Sequence, residues 1–237
     1  MRPLGWCAPA VVAVLLVGGS PLAAQRRELV VLAGVNYSGA TGGNLDRSES
    51  RAGFLGGVSL RMPRSARVSF QTDFLVVERR LFGERAPSTL PPLQVGPISD
   101  AATLLYAEIP LTFRIQSGYS TVRPVRPFLV LGPYLGIRLG CRRDVVEGDS
   151  TRRHTDCSAT PSDFLPGTEP FIPASYQNVD VGLLGTLGVE IRRMSLGARF
   201  ERSIINLVEP GAIPSTPFDK SKLWSASLLI EYMIRVL

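Results

Sequence analysis

Apolar and polar residues alternate one by one over long stretches of this chain. The clearest stretch has an apolar row of Leu105, Ala107, Ile109, Leu111, Phe113 and Ile115 between the polar residues Glu108, Thr112, Arg114 and Gln116. A β-strand presents two such rows to opposite sides. The same alternation recurs over 67–76 and 224–236. The pattern therefore predicts amphipathic strands.

Eight segments show this alternation between turn residues. They lie near 28–38, 51–62, 66–79, 102–116, 126–140, 178–192, 195–206 and 222–236. Most have about ten residues or more, the length that a tilted strand needs to cross a hydrocarbon layer. We therefore predict an all-β fold, an eight-stranded antiparallel up-and-down transmembrane β-barrel.

The connections between these strands alternate between long and short. If the first strand starts in the periplasm, the long connections face outward, as in outer-membrane barrels. The long ones are 39–50, 80–101, 141–177 and 207–221, and the short ones are 62–65, 117–125 and 192–194. This asymmetry predicts an orientation as well as a fold.

The N-terminal stretch is typical of a secretory signal peptide. Arg2 precedes an apolar run over 8–17, and small residues end at Ala24. The run is too short for a spanning helix, so we expect cleavage after Ala24. The predicted division is a signal peptide at 1–24 and a barrel domain at 25–237, located in the bacterial outer membrane.

Charged residues of both signs occupy the polar rows. A charge at the centre of the lipid face is costly, so these side chains are expected in the lumen or at strand ends. The predicted lumen charge network is Glu108, Arg114, Arg138, Glu190, Arg199, Glu201 and Glu231. The same rows carry Arg61, Arg67, Asp73, Asp180 and Arg235. Eight strands enclose a space filled by side chains, which predicts a charged plug.

The net charge of +6 does not indicate nucleic-acid binding. Lys and Arg are scattered singly, without a basic run or an aromatic stacking motif. The single histidine, His154, lies in a polar loop, and no serine elbow, phosphate loop or metal spacing accompanies it. We therefore predict no catalysis, cofactor or metal. A hydrolase would need an unusual arrangement around His154.

The longest predicted loop mixes acids and bases. The acids Asp144, Glu147, Asp149 and Asp156 suggest calcium ligands, but their spacing matches no known calcium loop. The arginines Arg142, Arg143, Arg152 and Arg153 largely balance them. A solvated loop is favoured, and its arginines could contact lipopolysaccharide phosphates.

Two cysteines remain after the predicted cleavage. Cys141 and Cys157 lie in one polar segment of an exported chain, where an oxidising compartment favours a disulfide. The alternative is a pair of free thiols.

Several short motifs occur in a characteristic order. They are Tyr106–Leu111 (YAEIPL), Arg126–Gly136 (RPFLVLGPYLG), Asp180–Leu183 (DVGL), Leu187–Glu190 (LGVE) and Ser195–Phe200 (SLGARF). Together they resemble the PorT-like outer-membrane β-barrel domain family, whose members are small barrels of the OmpA type. The resemblance implies an eight-stranded outer-membrane barrel without catalytic residues to carry over. The chain departs from the usual barrel ending, because Arg235-Val236-Leu237 lacks a terminal aromatic residue.

These observations predict a structural or binding barrel at the cell envelope. Its expected partners are outer-membrane lipid and, through the outer loops, lipopolysaccharide or other envelope proteins. Two alternatives remain open, a small-solute pore and a soluble lipocalin-like barrel. The second would turn the apolar rows inward.

Overall fold

The computed structural model describes residues 27–42, 47–85, 98–117, 125–147, 151–155, 176–208, 218 and 220–235. These residues form strands β1 (Glu28–Thr41), β2 (Arg47–Pro63), β3 (Val68–Arg85), β4 (Ile98–Gln116), β5 (Val125–Glu147), β6 (Thr151–Thr155), β7 (Val179–Ile191), β8 (Met194–Ser203) and β9 (Lys222–Arg235). Over the same ranges, no helix is long and apolar enough to span a membrane.

Eight of these strands close into a barrel. Each pairs antiparallel with the next along the chain, except that β5 pairs with β7 and the short β6 extends β5 as a hairpin. The first and last strands complete the ring, from Glu28 opposite Arg235 to Thr41 opposite Lys222. The predicted eight-stranded antiparallel up-and-down barrel is confirmed.

The two ends of the barrel differ. At one end, the turn end, β2 and β3 are joined by residues 64–67, and β7 and β8 by Arg192 and Arg193. Arg192 has a φ of 57°, the left-handed conformation that tight hairpin turns require. At the opposite end, the loop end, β3, β4 and β5 continue well past their predicted limits.

The predicted outer limits of several strands are wrong. We expected loops at 80–101 and 141–177, but β3 and β4 remain paired as far as Arg85 and Ile98. The strand β5 continues to Glu147 and returns as β6. The apolar alternation stops where the exposed apolar residues of the outer wall end. Backbone pairing continues beyond that point, and Arg80, Glu84 and Arg142 are among the side chains that face outward there.

The two faces of the barrel have opposite polarity. Leu187 and Leu228 on the outer wall are 66% and 67% exposed, whereas Gln71, Glu108 and Thr112 in the lumen are 0% exposed. A soluble barrel would bury its apolar rows. The lipocalin-like alternative is therefore wrong for the described strands.

An irregularity in β5 reverses its faces near the loop end. The β4–β5 register shifts between Leu105 and Tyr106, which leaves Leu139 as one extra residue on β5. Because side chains alternate with a period of two, the extra residue moves every later side chain to the other face. Arg142 therefore points outward and Arg143 inward.

Candidate functional site

The lumen is the candidate functional site because it gathers the charged side chains of strands far apart in sequence. Its turn-end cluster consists of Arg61, Arg114, Glu190 and Glu231, all buried. Arg114 donates to Glu190 Oε2 at 2.8 Å and to Glu231 Oε2 at 3.1 Å. Arg61 reaches the same two oxygens at 3.5 and 3.3 Å. Each carboxylate is thus shared between two guanidinium groups, and Arg126 also contacts Glu190.

A second group, the central cluster, surrounds Arg79. Its guanidinium lies 2.6 Å from Glu108 Oε1, 2.5 Å from Asp180 Oδ2 and 3.0 Å from Glu201 Oε2. These carboxylates come from β4, β7 and β8, whereas Arg79 belongs to β3. One side chain therefore connects four strands across the lumen.

Arg199 completes the central cluster. Its Nη2 donates to Asp73 Oδ2 at 2.9 Å, and its Nη1 lies 3.8 Å from Glu201 Oε1. Its Nε donates to the Thr186 hydroxyl at 3.2 Å. Buried charges are tolerated only when they are paired and hydrogen-bonded. Asp73 and the Nη2 and Nε atoms of Arg199 meet that requirement.

Nearer the loop end, Arg143 and Asp100 form a bidentate ion pair. Arg143 Nη2 lies 2.6 Å from Asp100 Oδ2, and Nε lies 3.0 Å from Oδ1. The Tyr176 hydroxyl donates to Asp100 Oδ2 at 3.4 Å. Burial, followed by the nearby Asp100 carboxylate, raises the pKa of Tyr176 well above its ordinary value. The hydroxyl therefore stays protonated and remains a donor.

An apolar cap covers this end of the lumen. Tyr176, Leu207, Val208 and Phe218 pack with wall residues such as Leu104 in one buried cluster. Tyr176 and Val208 form a β-bridge, and the Leu207 amide donates to the Ser221 carbonyl oxygen at 2.8 Å. The cap is held by backbone pairing as well as by packing, so buried side chains occupy the lumen at successive levels.

Six residues of the predicted charge network lie in these two clusters. They are Glu108, Arg114, Glu190, Arg199, Glu201 and Glu231, each at most 2% exposed. The seventh, Arg138, lies nearer the loop end, where it donates to the Tyr176 carbonyl oxygen at 2.7 Å and to Asn178 Oδ1 at 2.6 Å.

Sequence reasoning missed the central cation, Arg79. It has the same odd-numbered parity as Asp73, which the alternation already assigned to the polar row. Extending that row along β3 would have placed Arg79 in the lumen. By contrast, Arg67 of the same row is exposed in the turn before β3.

Part of the predicted outer loop at 141–177 is β-strand. Several of its candidate site residues therefore have other surroundings than expected. Arg143, expected to be solvated, is 1% exposed because the register shift in β5 turns it inward. Asp144 lies within β5, near its end, and is half-buried. Asp149 and Asp156 lie outside the described residues, as do the side chains of Glu147, Arg152, Arg153 and His154. Where side chains are described, no group of three or more His, Cys, Asp or Glu is arranged to hold a metal ion.

The predicted disulfide cannot be followed to both of its ends. Cys141 lies in β5 and packs against the apolar cap. Cys157 is outside the described residues, as is the predicted signal peptide. The Cys141–Cys157 bond therefore stays a prediction.

A closed antiparallel barrel with an apolar outer wall and a charged, capped lumen defines an outer-membrane β-barrel protein. A model of the outer membrane protein β-barrel domain family matches residues 23–209. The chain belongs to this family, and its predicted place in the outer membrane is confirmed at this level.

Solved structures of three bacterial proteins are similar to this barrel. OprG of Pseudomonas aeruginosa is 11% identical, with a TM-score of 0.41, 90% of this chain covered and 97% of the other. Ail of Yersinia pestis is 12% identical, with a TM-score of 0.40 and coverages of 89% and 99%. Neisserial surface protein A is 16% identical, with a TM-score of 0.38 and coverages of 86% and 96%. Comparison with curated protein sequences gives no match.

Proposed function

We propose that this protein is a closed, non-conducting barrel with a structural or binding role at the cell envelope and no catalytic activity. The observation that carries the proposal is the filling of the lumen. Two clusters of paired charges lie below the Asp100–Arg143 pair and a fully buried apolar cap. A protein whose interior is occupied in this way acts through its outer surface and its loop end.

The pore alternative would require these charges to separate. Removing one partner of a buried ion pair costs about 3–5 kcal/mol, because the other charge is left uncompensated. An open passage would have to disrupt the turn-end cluster, the central cluster and the cap together. The combined cost supports a lumen that stays closed.

Planar-bilayer recording tests this proposal. The refolded protein, shown to be folded by heat-modifiable gel migration, is expected to give no steady channel where a porin prepared in the same way conducts. The double variant Tyr176→Ala/Phe218→Ala opens the cap and leaves both charge clusters in place. This double variant is also expected to give no steady channel. A steady conductance from the wild type would overturn the closed-barrel proposal.

The finer assignments form part of the same proposal. The chain is a PorT-like member of its family, exported by a signal peptide at 1–24, with its loop end and the Cys141–Cys157 disulfide outside the cell. Outer-membrane lipid, lipopolysaccharide and other envelope proteins are its proposed partners. N-terminal sequencing of the protein from outer-membrane fractions should begin at Gln25. Protease added to intact cells should cut within 156–175 and spare the turn end.

A further inference from the structure

Three outward-facing arginines lie at one level of the barrel wall near the loop end. Arg51 of β2 is paired in register with Arg80 of β3, and Thr103 of β4 lies between Arg80 and Arg142 of β5. Neighbouring strands are about 4.8 Å apart, so this arginine arc (Arg51, Arg80 and Arg142) spans about 15 Å of the wall. The arc depends on two register shifts, one in β5 that turns Arg142 outward and one between Arg51 and Leu55 of β2 that sets Arg51 opposite Arg80.

The arc carries more positive than negative charge. All three arginines are exposed. The Arg51 guanidinium lies 4.7 Å from the centre of the Phe82 ring, and Arg80 pairs with Glu78 on the same strand. Three cations thus face one carboxylate at this level.

On β2 and β3, the described charges in the next rows toward the loop end are compensated. Arg47 lies 2.9 Å from Glu49 and 4.0 Å from Glu84. Asp144 follows Arg142 by two residues on β5, is half-buried and has interactions of its own. Among the described side chains of β2, β3 and β5, the excess of cations therefore lies at the level of the arc.

The arc also marks the edge of the apolar belt. Just below it, Phe54, Leu139 and Ile137 face outward and are 49%, 58% and 49% exposed. Arginine stems can lie along such apolar surface while their guanidinium groups reach the headgroup layer. A bilayer whose hydrocarbon layer ends at these residues would bring the arc to the level of the lipid phosphates.

We propose that the arginine arc binds the phosphates of lipid A, the phosphorylated disaccharide of lipopolysaccharide. The site deepens the proposed function and rests on its orientation, with the loop end outside. Guanidinium groups bind phosphate oxygens through two parallel hydrogen bonds and give up hydration water more easily than an ammonium group. A row of arginines about 15 Å long suits an elongated headgroup with separated phosphates.

Lipid A binding to the purified protein in detergent tests the site. The probes are diphosphoryl lipid A and the same lipid without phosphates, counted as bound lipid by native mass spectrometry over a concentration series. The principal variant is Arg51→Gln/Arg142→Gln, which leaves the Arg80–Glu78 pair intact. The matched control is Arg192→Gln/Arg193→Gln, which removes the same charge from the turn end.

The wild type should bind the diphosphoryl form at least about tenfold more tightly than the phosphate-free form, and the arc variant should lose about tenfold in affinity for it. The turn-end control should stay within about twofold, because solvent and salt screen distant exposed charges. Arg51→Lys/Arg142→Lys keeps the charge but not the paired donors, so it should fall between the wild type and the arc variant. Unchanged heat-modifiable migration shows that each variant is folded.

Equal binding of the two lipid forms by the wild type would overturn the site, as would equal losses in the arc and turn-end variants. Inorganic phosphate that displaced the lipid at equimolar concentration would show a simple anion site and would also overturn it. These lipid-binding outcomes do not depend on the result of the channel recording that tests the closed barrel. A conducting wild type would refute the closed barrel without changing lipid binding, and an arc variant that binds normally would leave the closed barrel intact.

Discussion

Replacing Arg79 with methionine should strongly destabilise the barrel. The side chain is 1% exposed and faces Glu108, Asp180 and Glu201 at distances of 2.5 to 3.0 Å. Breaking a buried ion pair costs about 3–5 kcal/mol. Because three carboxylates share this cation, we expect the loss to lie near the upper end of that range.

Two aromatic rings add to the loss. The Arg79 guanidinium lies 5.3 Å from the centre of the Tyr106 ring and 5.5 Å from that of Tyr134. Contacts of this kind contribute about 0.5–1 kcal/mol each at exposed sites and more when desolvated. The combined expectation for Arg79→Met is a loss of about 4–7 kcal/mol in the free energy of unfolding.

Reversible denaturant unfolding in lipid vesicles measures this quantity, with Trp224 on the outer wall as the fluorescent reporter. Arg142→Met is the control, since it removes an exposed arginine and should cost less than about 0.5 kcal/mol. Adding Glu108→Gln and Asp180→Asn to Arg79→Met should recover part of the loss by removing uncompensated charge. An Arg79→Met protein within about 1 kcal/mol of the wild type would refute the assigned role of this cation.

Three further outcomes are expected. Gly188→Ala should cost about 1–3 kcal/mol, because the added methyl group would meet a carbonyl oxygen at 2.3 Å and a phenyl ring at 2.5 Å. Gly140→Ala, with its nearest contact at 3.9 Å, should unfold like the wild type. Phe218→Ala should open the cap and speed proteolysis near the loop end, and unchanged cleavage would contradict this. Non-reducing peptide mapping should link Cys141 to Cys157, whereas two free thiols would exclude the bond.

Much of the fold could be predicted because the polar row and the apolar row of a strand both repeat at every second residue. The row that contains Glu108, Thr112 and Arg114 alternates with an apolar row long enough to cross a membrane. In lipid, the apolar row must face outward, so the polar row enters the lumen. The inward positions of Glu108 and Arg114 follow from this parity.

Contacts across the lumen could not be predicted in the same way. Glu78, Arg79 and Arg80 are three charged residues in succession, and local composition does not distinguish the one that faces inward. The odd-numbered position that Arg79 shares with Asp73 identifies it as the inward residue. Its partners on β7 and β8, however, depend on the closure of the whole ring. Alternation predicts whether a side chain faces the lumen or the lipid, but it does not predict which residues that side chain contacts.

The loop end was harder to predict, because one extra residue reverses an entire strand. Simple alternation from Tyr134 and Arg138 would place Arg142 inside and Arg143 outside, and the irregularity at Leu139 exchanges them. Register shifts of this kind depend on the partner strand as well as on the local sequence.

The wide sequence separation of the lumen ion pairs has a consequence for assembly. Arg79 is 101 residues from Asp180, and Arg61 is 170 residues from Glu231. Until β9 meets β1, the earliest strands carry guanidinium groups whose counter-ions are still elsewhere, and exposing them to hydrocarbon would be costly. We therefore expect insertion and ring closure to occur together, with the uncompensated charges keeping half-formed sheets out of the bilayer. The network that fills the finished barrel would then also act during its biogenesis, as a barrier to premature insertion.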